Sequence, residues 1–209
     1  MDILVVVVLT FLMLASTEIL WRYGHVKKEY ARKLVHVSVG TFVAFWPFFL
    51  DWTEIRLLSL AFVLVIALSL WLKIFKSIHS VERPTWGEVL FALSVGFISL
   101  LTTDPYIYAA AILHMSLADG AAAVVGAKYG KTNGYRIFGQ YKSRVGSLAF
   151  LIVSLVVLTW YVLVSGADIP VIFIAGLALA ATALENAGWR GFDNLLVPVV
   201  IAVILETLS

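Results

Sequence analysis

The chain has 209 residues, of which 62% are hydrophobic and only 13% charged, with a formal net charge of +2. Such a composition excludes an ordinary soluble domain, in which about a quarter of the residues are charged, and describes an integral membrane protein. The absence of cysteine excludes disulfides and thiolate chemistry.

Taking roughly 20 residues as the length that crosses a hydrocarbon core, the apolar runs predict an all-α, polytopic chain of about eight transmembrane helices. The expected spans are 3–21, 34–50, 55–74, 89–101, 106–125, 147–164, 169–184 and 195–208, the fourth and eighth being short. Residues 1–209 read as a single transmembrane catalytic domain with its main cytoplasmic loop at about 127–146. The first span lacks a basic leader and a small-residue cleavage site, so it reads as a retained helix. Every Lys and Arg except Arg56 falls in alternate connections, whereas Asp51, Glu54, Asp104 and Asp168 occupy the others. Because short cytoplasmic loops concentrate Lys and Arg, both ends of the sequence are expected on the non-cytoplasmic side. Topology thus accounts for the cations, and no nucleic acid is called for.

In chain order, the first polar stretch is WRYGHVKKEYARK, in which Lys27 and Lys28 read as a patch held to anionic lipid. Arg32, Lys33 and His36 enter the second span, with Arg32 and His36 on one helix face. They suit either an interfacial anchor or a phosphate site at the membrane boundary. Asp51-Trp52-Thr53-Glu54 reads as a structural outer turn. The connection with His79, Glu82, Arg83 and Pro84 reads as mainly topological, and Glu88 sits in a helix's first turn, where a carboxylate suits the dipole. Asp104-Pro105 is a helix-start signal.

Asp119 then lies inside an apolar span, where an ionised carboxylate costs roughly 2.5–3.5 kcal/mol unless compensated. On a helix it continues into a strip of small residues, Ala122, Ala123, Gly126 and Gly130. That strip suits either a helix-packing seam or the approach of a large anion. The loop beyond carries Lys128, Lys131, Arg136, Lys142 and Arg144 among glycines. An intramembrane carboxylate beside so many cations suggests a polyphosphate and a divalent metal. The run Gly126…Gly130-Lys131-Thr132 is not a P-loop, because three residues separate the glycines where four are required. Glu185 ends an Ala-rich apolar helix on the same side, and Asp193 follows, readable either as a helix cap or as a third acidic group. Three carboxylates facing one cationic loop is the composition a magnesium-bound nucleotide needs.

The segments ARKLVH, LADGAAAVVGAKYGK, YKSRVGS and ALENAGWRGFDNLLVP, in that order from about residue 31 to residue 198, resemble the polyprenol kinases: dolichol kinase, phytol kinase and the CTP-dependent diacylglycerol kinase. The resemblance implies a membrane-embedded enzyme that moves the terminal phosphate of a nucleoside triphosphate, typically CTP, to a lipid alcohol. It implies that Asp119, Gly126, Gly130, Lys142, Ser143 and Gly146 contribute to the nucleotide and metal site, completed by Glu185, Asp193 and Asn194. The Ala-Asp-Gly and Lys-Ser-x-x-Gly segments are also similar to CTP:phosphatidate cytidylyltransferase, but the C-terminal Gly-His-Gly-Gly signature of that enzyme is missing.

The expected site therefore has Asp119, Asp193 and Glu185 around magnesium, with Glu185 alternatively taking the alcohol proton. Lys131, Lys142 and Arg144 grip the phosphates, and Asn194 orients an oxygen. Arg32, Lys33 and His36 close the site from the second helix. The acceptor is a polyprenol-like alcohol or diacylglycerol reaching the cytoplasmic face from the bilayer. Cytidylyl transfer is the alternative within the superfamily, and a small transporter is the alternative of another class. The oligomeric state leaves no mark on the sequence.

Overall fold

The structure, a computed structural model, describes residues 3–23, 28–72 and 86–209. Nine α-helical stretches are found among the described residues: α1 (Ile3–Arg22), α2 (Lys28–Ala44), α3 (Trp52–Leu72), α4 (Gly87–Leu101), α5 (Pro105–Leu113), α6 (Asp119–Tyr129), α7 (Arg144–Ser165), α8 (Val171–Ala187) and α9 (Asp193–Leu208). A π-helical segment, His114–Ala118, joins α5 to α6, so these stretches make eight rods, as the hydropathy leads one to expect. Among the described residues, three helical stretches, Ile3–Leu20, Pro105–Thr132 and Arg144–Ser165, are long and apolar enough to cross a membrane. The fourth and eighth rods are short, with 15 and 16 residues.

Local chemistry explains several of the boundaries. Asp104 accepts from the amides of Tyr106 and Ile107 at 2.7 and 3.1 Å, capping α5 with Pro105 in its first turn. Asp51 and Glu54 cap the start of α3 reciprocally, each side chain accepting from the other's amide at 2.8 and 3.0 Å. Pro47 stands in a short 3-10 turn, Trp46–Phe48, beyond the end of α2. Ser143 caps α7 by accepting from the Gly146 amide at 3.1 Å.

The rod formed by α5 and α6 is the centre of the molecule. Its residues from 107 to 116 are all buried, with α2, α7 and α9 packed around it. Helix α1 lies against α2, α3 against α4, α4 against α9, and α8 against α7 and α9. Outward faces are apolar: Leu57, Leu60, Leu64 and Leu68 on α3, at three- and four-residue steps, are each more than half exposed. A soluble protein rarely exposes such a stripe, whereas a lipid-facing helix requires one.

One feature of the 127–146 region is absent from the sequence reading, and one of its alternatives is decided. Part of it is a β-hairpin, β1 (Gly134–Ile137) paired antiparallel with β2 (Gln140–Ser143). Phe138 and Gly139, with φ of 48° and 77°, form the two-residue turn between them. The strip of small residues is a packing seam between α6 and α7. A Cβ on Gly146 would stand 2.9 Å from the Ala122 carbonyl oxygen, and one on Gly126 would stand 3.0 Å from Ser143 Oγ. A Cβ on Gly130 would come 2.6 Å from Ser143 Cβ. These glycines let the two helices close on Ser143.

Candidate active site

Three acidic side chains from distant parts of the chain converge: Asp119 at the start of α6, Glu185 in the last turn of α8 and Asp193 at the start of α9. One carboxylate oxygen from each lies within 4.8 Å of the others. Two unit charges at that separation repel by about 3.5 kcal/mol at an effective dielectric near 20. The cluster therefore forms only where cations offset it. Asp193 is not the cap of α9: Phe192 holds that position, and the helix start has no side-chain cap. The turn that returns the chain to Asp193 uses Arg190 and Gly191 at φ of 52° and 92°. Gly188 is packed so closely that a Cβ there would stand 2.6 Å from Asp193 Cβ, which lets the α8 and α9 carboxylates meet.

Two lysines answer these charges. Lys33 Nζ lies 2.6 Å from Asp119 Oδ2, and Lys142 Nζ donates to Glu185 Oε1 at 2.5 Å and to the Glu185 carbonyl at 2.9 Å. His36 Nε2 contacts the Met115 carbonyl at 2.8 Å and stands 3.3 Å from Asp119 Oδ2. Met115 belongs to the π-helical segment, so that irregularity presents a backbone oxygen to His36 one turn before Asp119. Among the described residues, Asp193 forms no salt bridge within 4 Å, although Lys142 and Lys33 both act on it from farther away. Three carboxylates against two lysines leave one negative charge when the imidazole is neutral, an all-oxygen donor set suited to a hard divalent cation.

The hairpin aims Lys142. Tyr135 is directly opposite Lys142 in the register, so the two side chains share one face of the ribbon. The Tyr135 hydroxyl donates to Asn186 Oδ1 at 2.7 Å, joined there by Ser147 Oγ at 2.8 Å. Lys142 grips the preceding residue, Glu185. The ribbon is thus fastened at two adjacent residues of α8. Burial pushes the Lys142 ammonium toward neutrality, but the Glu185 carboxylate outweighs that effect and raises its pKa above the ordinary lysine value. Lys142 therefore stays charged.

The other expected site residues are placed as follows. Asn194 is buried and donates to the Gly87 carbonyl at 3.0 Å, tying the start of α4 to α9. Ser143, Gly126, Gly130 and Gly146 form the α6–α7 seam. Lys131 and Arg144 are exposed on the surface around the hairpin. Arg32 belongs to α2, but its side chain lies outside the described residues, as do Lys27, His79, Glu82 and Arg83. Sequence reasoning missed Tyr135, Ser147, Asn186 and the Met115 carbonyl. Strand alternation in 134–143 is the one signal that would have paired Tyr135 with Lys142.

A phytol kinase from Synechocystis sp. is 35% identical to the chain over 199 residues, covering 90% of this chain and 83% of that protein. The chain belongs to the polyprenol kinase family. No family profile and no solved structure matches it. As a member of the polyprenol kinases it is a lipid kinase, and phosphoryl transfer asks of a protein mainly positioning and charge neutralisation. Paired lysines and clustered carboxylates are the parts that such chemistry uses.

Proposed function

We propose that the protein transfers the γ-phosphate of CTP, carried as its magnesium complex, to the hydroxyl of a prenol such as phytol. The reaction takes place at the cytoplasmic face of a membrane crossed by eight helices. The observation that carries this reading is the meeting of Asp119, Glu185 and Asp193 within 4.8 Å, flanked by Lys33 and Lys142. Magnesium takes one or two carboxylates and completes its shell with phosphate oxygens and water, which fits three carboxylates of which one, Asp193, is in no direct salt bridge among the described residues. Bound there, it would supply charge neutralisation for the transferred phosphate.

The protein's own groups do the rest. Asp119 and Asp193 hold the cation directly or through water, with Glu185 beside them. Lys33 and Lys142 exchange their carboxylate partners for the incoming phosphates, so no lysine has to be brought from solvent. Lys131 and Arg144, exposed near the hairpin, attract the triphosphate. His36 faces both Asp119 and the apolar interior, and it places the acceptor hydroxyl. The alcohol oxygen attacks the γ-phosphorus, the bond to the nucleoside diphosphate breaks, and the hydroxyl proton passes to a carboxylate of the cluster. The cytoplasmic orientation rests on the alternation of cations along the chain. Arg56, the exception, is held at the opposite end, its guanidinium donating to the Ser99 carbonyl at 2.7 and 3.2 Å.

The test is a transfer assay on purified protein in lipid or detergent. CTP and ATP labelled at the γ-phosphate are offered against phytol, geranylgeraniol, a dolichol and diacylglycerol. Magnesium-dependent label in a prenol, greater from CTP, is expected. Label passing only from α-labelled CTP to a phosphatidate would overturn phosphoryl transfer in favour of cytidylyl transfer.

A further inference from the structure

Beside the carboxylate cluster, a cavity opens between α1, α2, α3 and α4. Apart from Ser59, whose hydroxyl donates to the Ala92 carbonyl, its hydrophilic side chains are grouped. His36, Glu88 and Asn194 stand at one end, where His36 meets Asp119 and Asn194 meets the start of α4. From there His36, Val39, Val43 and Trp46 line the cavity at three- and four-residue steps. Helix α4 deepens in the same direction, from Glu88 through Ala92 to Val95, while Phe62 and Ser59 of α3 mark the far end. Trp46 is fully buried there, its ring 6.1 Å from that of Phe62. The cavity is an apolar shaft with a polar mouth on the site and an indole floor.

We infer that this shaft receives the hydrocarbon tail of the acceptor, tail first, and that Trp46 limits its length. The inference rests on the kinase function proposed above and adds which alcohols fit. Trp46 lies ten positions beyond His36, the first eight within α2 and the last two in the tighter turn after it, a depth of about 15 Å at 1.5 Å per α-helical residue. A fully extended chain of single bonds advances about 1.2 Å per bond, by the backbone's reach of 3.3–3.6 Å for three bonds. The shaft therefore holds about 12 bonds, or three isoprene units of four bonds each. A further unit carrying the hydroxyl spans the mouth. Farnesol, geranylgeraniol and phytol fit this length, and a dolichol does not.

The experiment compares initial rates on geraniol, farnesol, geranylgeraniol, phytol and a long-chain dolichol in three proteins: unsubstituted, Trp46→Ala and Val43→Phe. The unsubstituted protein should prefer farnesol to phytol lengths over dolichol by at least about tenfold, the discrimination a misfitting apolar group produces. Trp46→Ala should raise the dolichol-to-geranylgeraniol ratio by about tenfold. Val43→Phe, one turn above the floor, should move the preference one isoprene unit shorter. Identical profiles in all three proteins would overturn the floor while leaving the kinase function standing. Equal rates on phytol and dolichol in the unsubstituted protein would do the same, with no substitution needed. Absence of phosphorylation of every alcohol would instead overturn the kinase function itself.

Discussion

Replacing Lys142 by methionine separates what the cluster does for folding from what it does for catalysis. Lys142 and Glu185 approach to 2.5 Å with side-chain exposures of 18% and 6%. Removing one partner of a fully buried pair costs about 3–5 kcal/mol, because the other charge is left uncompensated. Here the surviving Glu185 also faces Asp119 and Asp193. Partial access of water to Lys142 lowers the cost to about 2–3 kcal/mol, a fall in Tm of roughly 5–10 °C for a chain of this length. The double substitution Lys142→Met with Glu185→Gln removes both charges, so most of the stability should return while phosphoryl transfer stays at least about a hundredfold down. The assay pairs fluorescence-detected unfolding in detergent with kcat and KM for CTP. Additive destabilisation in the double variant would show that the two side chains do not act as a pair. Recovery of activity together with stability would show that Lys142 serves the fold alone.

Four further outcomes follow from the same geometry. Asp119→Asn, in protein that inserts and folds, should lose about 10²–10³ in kcat and weaken the magnesium dependence of the rate; intact activity would remove Asp119 from the metal site. Tyr135→Phe deletes a hydroxyl that fastens the hairpin to Asn186 and should raise KM for CTP about fivefold, the equivalent of roughly 1 kcal/mol, with unfolding little changed. Gly146→Val should destabilise by about 1–3 kcal/mol, because even a Cβ there stands 2.9 Å from the Ala122 carbonyl oxygen; an unshifted unfolding transition would disprove the seam. The natural absence of cysteine permits a topology test: with Arg136→Cys and Asp168→Cys, both at exposed positions, an impermeant thiol reagent should label the first only from the cytoplasmic side and the second only from the other.

How far the sequence discloses this site depends on which interactions act locally. Asp119, Glu185 and Asp193 were readable because a carboxylate in or beside an apolar helix needs compensation wherever the chain goes, and the structure brings all three together. The residues by themselves did not choose among the loop's cations, and only the family resemblance pointed to Lys142. Lys131, Lys142 and Arg144 look alike in sequence, and strand alternation alone turns Lys142 toward Glu185 while its neighbour Tyr141 is exposed. The hairpin itself was concealed because its turn is Phe138-Gly139, and a bulky residue at positive φ is not a turn signal. The glycines illustrate the converse: Gly126, Gly130 and Gly146 suit either a packing seam or an anion, and only the position of Ser143 between α6 and α7 decides. The two roles are connected through Ser143, the last residue of β2 and the cap of α7. Close approach of α6 and α7 fixes the base of the strand that carries Lys142. A substitution that widens the seam should therefore weaken nucleotide binding without touching a ligand, because it moves the lysine away from the carboxylates.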